Sequence, residues 1–316
     1  MARSSPARAQ QSYRHEAFLW HDAEEFTAGL VPFLEEGLDA GEPTMVAVVP
    51  EHTEWLKDAL GCRTDEVTFV DMRQMGGNPA RILPAWQQFL DKAGPKRPVR
   101  GIGEPIWPGR RPAELQECQL HEALLNVAID PELPFWLICP YDAHRLGVDV
   151  VAEAHRSHPV ILEAGSYHGS GHYEGRAHVD SLFGTQLSEP ADPSGEPRTM
   201  QFSEADVVRL RRYLRLEFYV AGLPLDTAAD LSEVVHRLAE SSLRRGSAGG
   251  TLRVWDQPDA LVCEIADDSV VSNPLLGRRV PFEKDHDALW VANQLCDLVQ
   301  LRSTETGTAV RVHAWK

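Results

Sequence analysis

The first half of the chain holds a few side chains whose types and spacing suit ligand chemistry. Glu104 follows the apolar stretch Val-Arg-Gly-Ile-Gly at 99–103, and Tyr141 and Asp142 end the run Phe-Trp-Leu-Ile-Cys-Pro-Tyr-Asp at 135–142. Cys118, His121 and Glu122 are spaced i, i+3 and i+4, which places them on one face of a helix. With His15 and Cys139 these groups can line one polar pocket for a small ligand. Cys118, His121 and Cys139 are also donor types that zinc accepts, but no close Cys-x-x-Cys pair is present, so no metal is expected. The alternative is structural: His121 and Glu122 bond neighbouring loops, and Cys118 fills core space as buried thiols do. His155, His158, His168 and His172 fall on or after a helix end, where a solvated loop accounts for them. Nothing sets a nucleophile beside a base at recognisable spacing. The absence of GxxxxGK[ST] leaves no P-loop to hold a nucleotide.

The elements that must position these groups alternate. Ala17–Trp20 reads as a strand; the next stretch puts Phe26, Leu30, Phe33, Leu34 and Leu38 on one helical face and stops at Gly41. Thr44–Pro50 is an unbroken apolar run, as expected of a strand covered on both faces. A helix near 51–60, a strand at 67–72, a helix over 79–91, a strand at 99–105, a helix from Pro112 to Val127, the strand 135–142 and a short helix at 147–156 complete the series. Such alternation predicts an α/β domain with a mostly parallel sheet, and ligands in open parallel sheets settle beyond the strands' carboxyl ends. Residues 164–200 are rich in Gly, Ser, Pro and His, and their second half reads as a linker. Beyond it, Val207, Leu210, Leu214 and Phe218 mark a helix that stops at Gly222-Leu223-Pro224. A helix over 226–245, two strands, a helix at 288–297 and two closing strands follow, with Gly307 expected at the tip of the last turn. This second run describes an α+β two-layer sandwich.

Bulk properties bound the reading. With 316 residues, 43% hydrophobic and 25% charged, the chain can bury two ordinary cores. The first 200 residues carry 30 acids against 17 Lys and Arg, and the remainder 17 against 14, which together give −16. No basic surface is offered to phosphate backbones, so direct nucleic-acid binding is not expected. No apolar stretch is long enough to span a membrane, and residues 1–13 read as a polar, disordered lead-in rather than a signal peptide. Five cysteines without close pairing fit reduced thiols in a cytoplasm.

Arg-His-Glu-Ala-Phe-Leu-Trp at the start, the block from Arg100 to Val127 and Leu137–Leu146 together resemble the MEDS domain, a sensory domain named for methanogens and methylotrophs. The resemblance implies a RecA-like α/β core that senses a small molecule of unknown class. The domain is expected over 14–185, with a linker at 186–199.

In the last third, Ala228–Gly246 resembles the magnesium-binding helix of the GHKL (gyrase, heat-shock chaperone, histidine kinase) ATPases. Anti-sigma-factor kinases of that superfamily end this helix close to N-E-L-A-T-N-S-L-R-H-G, where this chain has His236 to Gly246. The resemblance implies that Arg237 replaces the general-base glutamate and Ser241 the magnesium-ligating asparagine. Arginine does not deprotonate in a protein, and a serine hydroxyl is a poor ligand for octahedral magnesium. Asp267 matches the adenine-binding aspartate of the family's D-x-G turn, although Ser269 stands in place of the glycine. Thr308 matches the adenine-end threonine. The turn normally rich in glycine is Glu283 to Ala288 here, with three acids and no glycine. Gly-Arg-Arg at 277–279, Asn293–Val299 and Thr306–His313 extend the match over 200–316. The resemblance implies an anti-sigma-type regulator, such as serves actinobacterial stress and developmental signalling. It would bind a sigma factor or a STAS-type antagonist, with dimerisation common in the branch and no catalytic residues of its own. The rival reading is an active serine/threonine kinase using ATP and magnesium, which Arg237 and Ser241 argue against. A helix bearing Arg209, Arg211, Arg212 and Arg215 is the candidate partner contact, or else a solvated face.

Overall fold

A computed structural model describes residues 12–190, 196–281 and 287–316. The expected lead-in therefore lies outside the described residues except for Ser12 and Tyr13, as do part of the linker and most of the acidic turn. The chain divides into two compact units, Met1–Val179 and Asp180–Lys316.

The first unit is α/β. Its strands are β1 (Arg14–Trp20), β2 (Thr44–Val48), β3 (Thr68–Asp71), β4 (Val99–Gly103), β5 (Phe135–Asp142), β6 (Val160–Glu163) and β7 (Ser166–Gly169). They form one sheet in the order β3-β2-β4-β5-β1-β6-β7, parallel except for the β6–β7 pair. The connecting helices are α1 (Ala23–Asp39), α2 (Pro50–Leu60), α3 (Met72–Met75), α4 (Ile82–Ala93), α5 (Pro112–Ala128) and α6 (Val148–Ser157). From β1 the chain moves in one direction to β2 and β3, then returns through β4 and β5 to β6. Right-handed crossovers therefore place α1 and α2 on one face and α4, α5 and α6 on the other.

The residues show why. Asp22 caps α1 by accepting from Glu25 N–H at 2.9 Å, and Phe26, Leu30, Phe33, Leu34 and Leu38 are buried against Phe18, Val46, Ile102 and Ile138. Each such side chain contributes about 1.5–3 kcal/mol when removed from water. On the opposite face a Cβ on Gly101 would lie 2.9 Å from both Trp86 and Phe135, so only glycine lets the α4 indole close on the sheet. β6 was not among the expected elements, and β7 and α7 (Arg176–Gly184) arise where the sequence suggested irregular chain. β7 is exposed throughout and carries no apolar alternation to announce it.

The second unit has an antiparallel sheet in the order β11-β12-β10-β9-β8. Its strands are β8 (Arg198–Ser203), β9 (Gly249–Asp256), β10 (Ala260–Asp267), β11 (Leu298–Thr304) and β12 (Gly307–Trp315). The helices α8 (Glu204–Val220), α9 (Leu225–Arg244) and α10 (Ala288–Leu295) share a core with the inward faces of these strands. Ser203 and Asp206 form a capping box at the start of α8, and Val207, Leu210, Leu214 and Phe218 face inward as their spacing requires. The last turn differs slightly from expectation. Gly307 opens β12 opposite Thr304, leaving Glu305 and Thr306 as the loop. A Cβ there would stand 2.2 Å from the Asp267 carbonyl oxygen, so close strand approach, together with a φ of +152°, requires the glycine.

Candidate functional site

His15 is the second residue of β1 and pairs with Leu137, while Cys139 of β5 pairs with Ala17. In parallel register both side chains point to the face covered by α5 and α6. Glu122 comes down from α5, and His158 follows the last residue of α6. The four meet in the interior, each at most 2% exposed. His15 Nε2 lies 3.1 Å from Glu122 Oε2 and 3.4 Å from Cys139 Sγ, and His158 Nε2 lies 3.3 Å from the same carboxylate oxygen. One donor atom from each of the four falls within 4.8 Å of every other.

Polar neighbours fix how the imidazoles face. Asn126 Nδ2 donates to the Ser157 carbonyl at 2.7 Å, so its Oδ1 turns to His15 Nδ1 at 3.1 Å and accepts from it. His158 Nδ1 sits 2.9 Å from the Ala154 carbonyl, which can only accept. Both rings therefore carry a proton on Nδ1 and present Nε2 to Glu122 and Cys139. Tyr13 stacks on His15 with centroids 6.0 Å apart, and the Tyr141 ring meets His158 edge-on at 5.6 Å.

Burial sets the electrostatics. It lowers the His15 pKa, and the neighbouring His158 lowers it further. It would raise Glu122, but the adjacent His15 and His158 outweigh it and hold the carboxyl well below the usual range. Burial pushes the Cys139 thiol well up, and the Glu122 charge adds to that.

The carboxyl ends of the strands hold a different group. Glu104, just past β4, accepts from Val49 N–H at 3.0 Å and faces His52 Nδ1 at 2.8–2.9 Å. Its carboxylate lies at the N-terminus of α2 and takes up one of the helix's free N–H groups. Burial raises the Glu104 pKa, opposed by the bond to His52. Trp20, Phe26 and Trp55 surround the His52 ring at 4.6–5.1 Å. Asp142 accepts from His144 and Arg145 N–H at 3.2 and 3.0 Å, a turn-holding role.

The eight residues expected to share one pocket thus separate. His15, Glu122 and Cys139 come together, with Tyr141 against the cluster, while Glu104 and Asp142 lie at the strand ends. Cys118 lies apart, 3.2 Å from the Pro105 carbonyl, where burial pushes its thiol up to about 12. His121 is buried on α5 but is not one of the four donors. His158, read as a loop histidine, is fully buried and completes the cluster; its signal was the α6 end bringing it back to the sheet. His155 and His172 do face outward, 6.4 Å apart across a cleft of about 550 Å³, and His168 is half exposed.

In the second unit Asp267 ends β10 with its side chain 1% exposed. Arg245, just beyond α9, reaches it at 2.9 Å and also bonds Ser269 Oγ at 3.0 Å and Ser241 Oγ at 3.1 Å. Ser269 N–H and Oγ bond the other Asp267 oxygen. Thr308 Oγ1 bonds the Ser269 carbonyl at 2.7 Å and Ser303 Oγ at 2.9 Å. Arg237 pairs with Glu233, one turn earlier, at 2.8 Å. Of the acidic turn, only Asp287 and Ala288 are described, and Asp287 caps α10 by accepting from Leu289 and Trp290 N–H. No helix among the described residues is long and apolar enough to cross a membrane.

The family model for the MEDS domain, the methanogen/methylotroph DcmR sensory domain, matches residues 14–159. A sensory MEDS domain therefore occupies that stretch, which runs from β1 to just past His158 and takes in all four clustered donors. No curated protein matches the chain.

Proposed function

We propose that the chain is a cytoplasmic signalling regulator of the anti-sigma-factor type. The MEDS domain senses, and the second unit, a GHKL-type fold without phosphotransfer, controls a sigma factor or its STAS-type antagonist by binding. A sensory domain joined to a second globular unit supports a signalling role. Three helices on an antiparallel sheet, with Asp267 closing β10 and Thr308 paired beside it on β12, are compatible with that fold.

One observation carries the reading of a binding rather than phosphorylating unit: Arg245 spans Ser241, Asp267 and Ser269. The carboxylate that would meet an adenine amine already holds a guanidinium, and the serine that would replace the magnesium ligand is bonded to the same group. Arg237, in the general-base position, is a paired cation. The work then falls to surfaces. On α8, Val208, Leu216 and Val220 are 63–82% exposed along a face that also carries Arg212. With Arg209 and Arg215 nearby, this face suits an acidic partner with apolar anchors.

The experiment is to challenge the full chain with ATP and magnesium at millimolar levels. A bound nucleotide at 100 times its Kd would add about 2.7 kcal/mol to stability; no shift in Tm and no label transfer are expected. A nucleotide-dependent shift or phosphate transfer to an antagonist would replace this reading by the kinase one. Affinity capture identifies the partner. A partner set without sigma factors or antagonists, none binding the purified chain, removes the anti-sigma assignment.

A further inference from the structure

We propose that His15, Glu122, Cys139 and His158 hold a divalent transition cation of the zinc class through two imidazole Nε2 atoms, one carboxylate oxygen and one thiolate. The inference goes beyond the regulatory reading and does not lean on the second unit.

Distances come first. A tetrahedral zinc site has Zn–N and Zn–O near 2.0–2.2 Å and Zn–S about 2.3 Å, so its donors stand roughly 3.3–3.8 Å apart. The observed separations of 3.1, 3.3 and 3.4 Å, with every donor within 4.8 Å of the rest, need only a small adjustment.

Orientation agrees with distance. A metal-binding imidazole commonly donates its other N–H to a carbonyl or amide oxygen, which fixes the tautomer and aims the lone pair. Both rings meet that condition, His15 through Asn126 and His158 through Ala154. Asn126 is itself held by the Ser157 carbonyl, so its orientation is set before any ligand arrives.

Valence is also left unsatisfied in the cluster. Among the described residues Glu122 Oε1 and His158 Nε2 are buried without a hydrogen-bond partner, and two imidazole lone pairs face a carboxylate with only the thiol to donate. Burying such groups unpaired costs several kcal/mol. A divalent cation answers all of them at once. It replaces the proton on Cys139 Sγ, which leaves to solvent, and the thiolate and carboxylate together neutralise its two charges. Sulfur and imidazole donors favour zinc-class ions over calcium or magnesium. With four protein ligands and no exposed donor the site is closed, as structural and sensing sites are and hydrolytic ones are not.

The test uses the full chain, stripped with chelator and titrated with Co²⁺ alone as an optical probe and with Zn²⁺ in competition. One ion per chain is expected, with intense tetrahedral ligand-field bands and a thiolate-to-cobalt charge-transfer band that Zn²⁺ abolishes. Cys139→Ser should lose the charge-transfer band, while Cys62→Ser and Cys118→Ser keep it. Glu122→Gln should weaken binding at least 100-fold, and Asn126→Ala about 10–100-fold with the charge-transfer band retained. Failure of the folded wild-type chain to retain stoichiometric Co²⁺ at micromolar free metal would overturn the proposal. So would a charge-transfer band that survives in Cys139→Ser. The wild-type titration is decisive even if a variant does not fold.

Discussion

Arg245→Ala isolates the group that occupies the adenine end of the second unit. Asp267 is 1% exposed and among the described contacts has Arg245 as its cation, at 2.9 Å; Ser269 supplies its remaining bonds through N–H and Oγ. Deleting one partner of a fully buried pair costs about 3–5 kcal/mol, because the other charge stays behind. Arg245 is 21% exposed, so water can follow the deleted side chain, and the two Ser269 bonds persist. The cost therefore falls to about 2–3 kcal/mol, or a drop in Tm of about 6–12 °C for a domain of this size. Scanning calorimetry of the full chain reads it as a shift of the second unit's transition. Asp267→Asn in the Arg245→Ala background removes the stranded charge and should recover part of the loss, a coupling of about 1–2 kcal/mol. A single variant that moves Tm by less than about 2 °C, or a double variant no better than the single one, would show the pair to be solvent-screened. The same single variant also tests the nucleotide argument. With Ser269 in the glycine position and Arg237 and Ser241 unchanged, the freed Asp267 should still give no stabilisation with ATP and magnesium. Stabilisation by nucleotide would make Arg245 a removable gate.

The two halves of the molecule were legible to different depths. Period and punctuation announced the main parallel strands: β2, covered on both faces, is continuously apolar, and β4 and β5 carry short runs that are buried throughout or nearly so. They also announced α1 and α8, whose buried faces repeat at helical spacing. β7 and β8 escaped because an exposed edge strand needs few apolar side chains; only Phe202 of β8 is buried. The site was half legible for a related reason. Helical spacing put Cys118, His121 and Glu122 on one face, but a helix packed into a core presents an arc. Cys118 turns to the Pro105 carbonyl while Glu122 points to the sheet. Strand ends drew attention to Glu104 and Asp142, yet the metal-like cluster lies under α5 and α6, beside the middle of β5. His158 joins it through tertiary approach: no local spacing relates it to His15, which lies far earlier in the chain on β1, the strand next to β6. The Arg245 contact was invisible for the same reason, since its partner lies 22 residues further on, across a strand pair.

Gly101→Ala should cost about 1–3 kcal/mol by overpacking, since the new methyl would stand 2.9 Å from the buried Trp86 and Phe135 rings; the urea midpoint should fall with the m-value unchanged. The metal-free first unit should also lose stability on acidification, for reasons its buried cluster supplies. Burial lowers His15, so the unfolded chain binds that proton more readily than the folded one, and stability falls as pH drops below about 6.5. Glu122 acts at lower pH. Its carboxyl is held well below the ordinary range, so its contribution is full above about pH 4.3 and drains away as the medium is acidified past that point. Urea midpoints of the chelator-treated chain between pH 8 and pH 4 should therefore descend in two steps. His15→Asn should flatten the upper step and, because His15 helps to hold Glu122 ionised, shrink the lower one. A wild-type profile level from pH 7 to pH 5, or an upper step untouched in His15→Asn, would mean that the cluster takes up its proton without opening the fold.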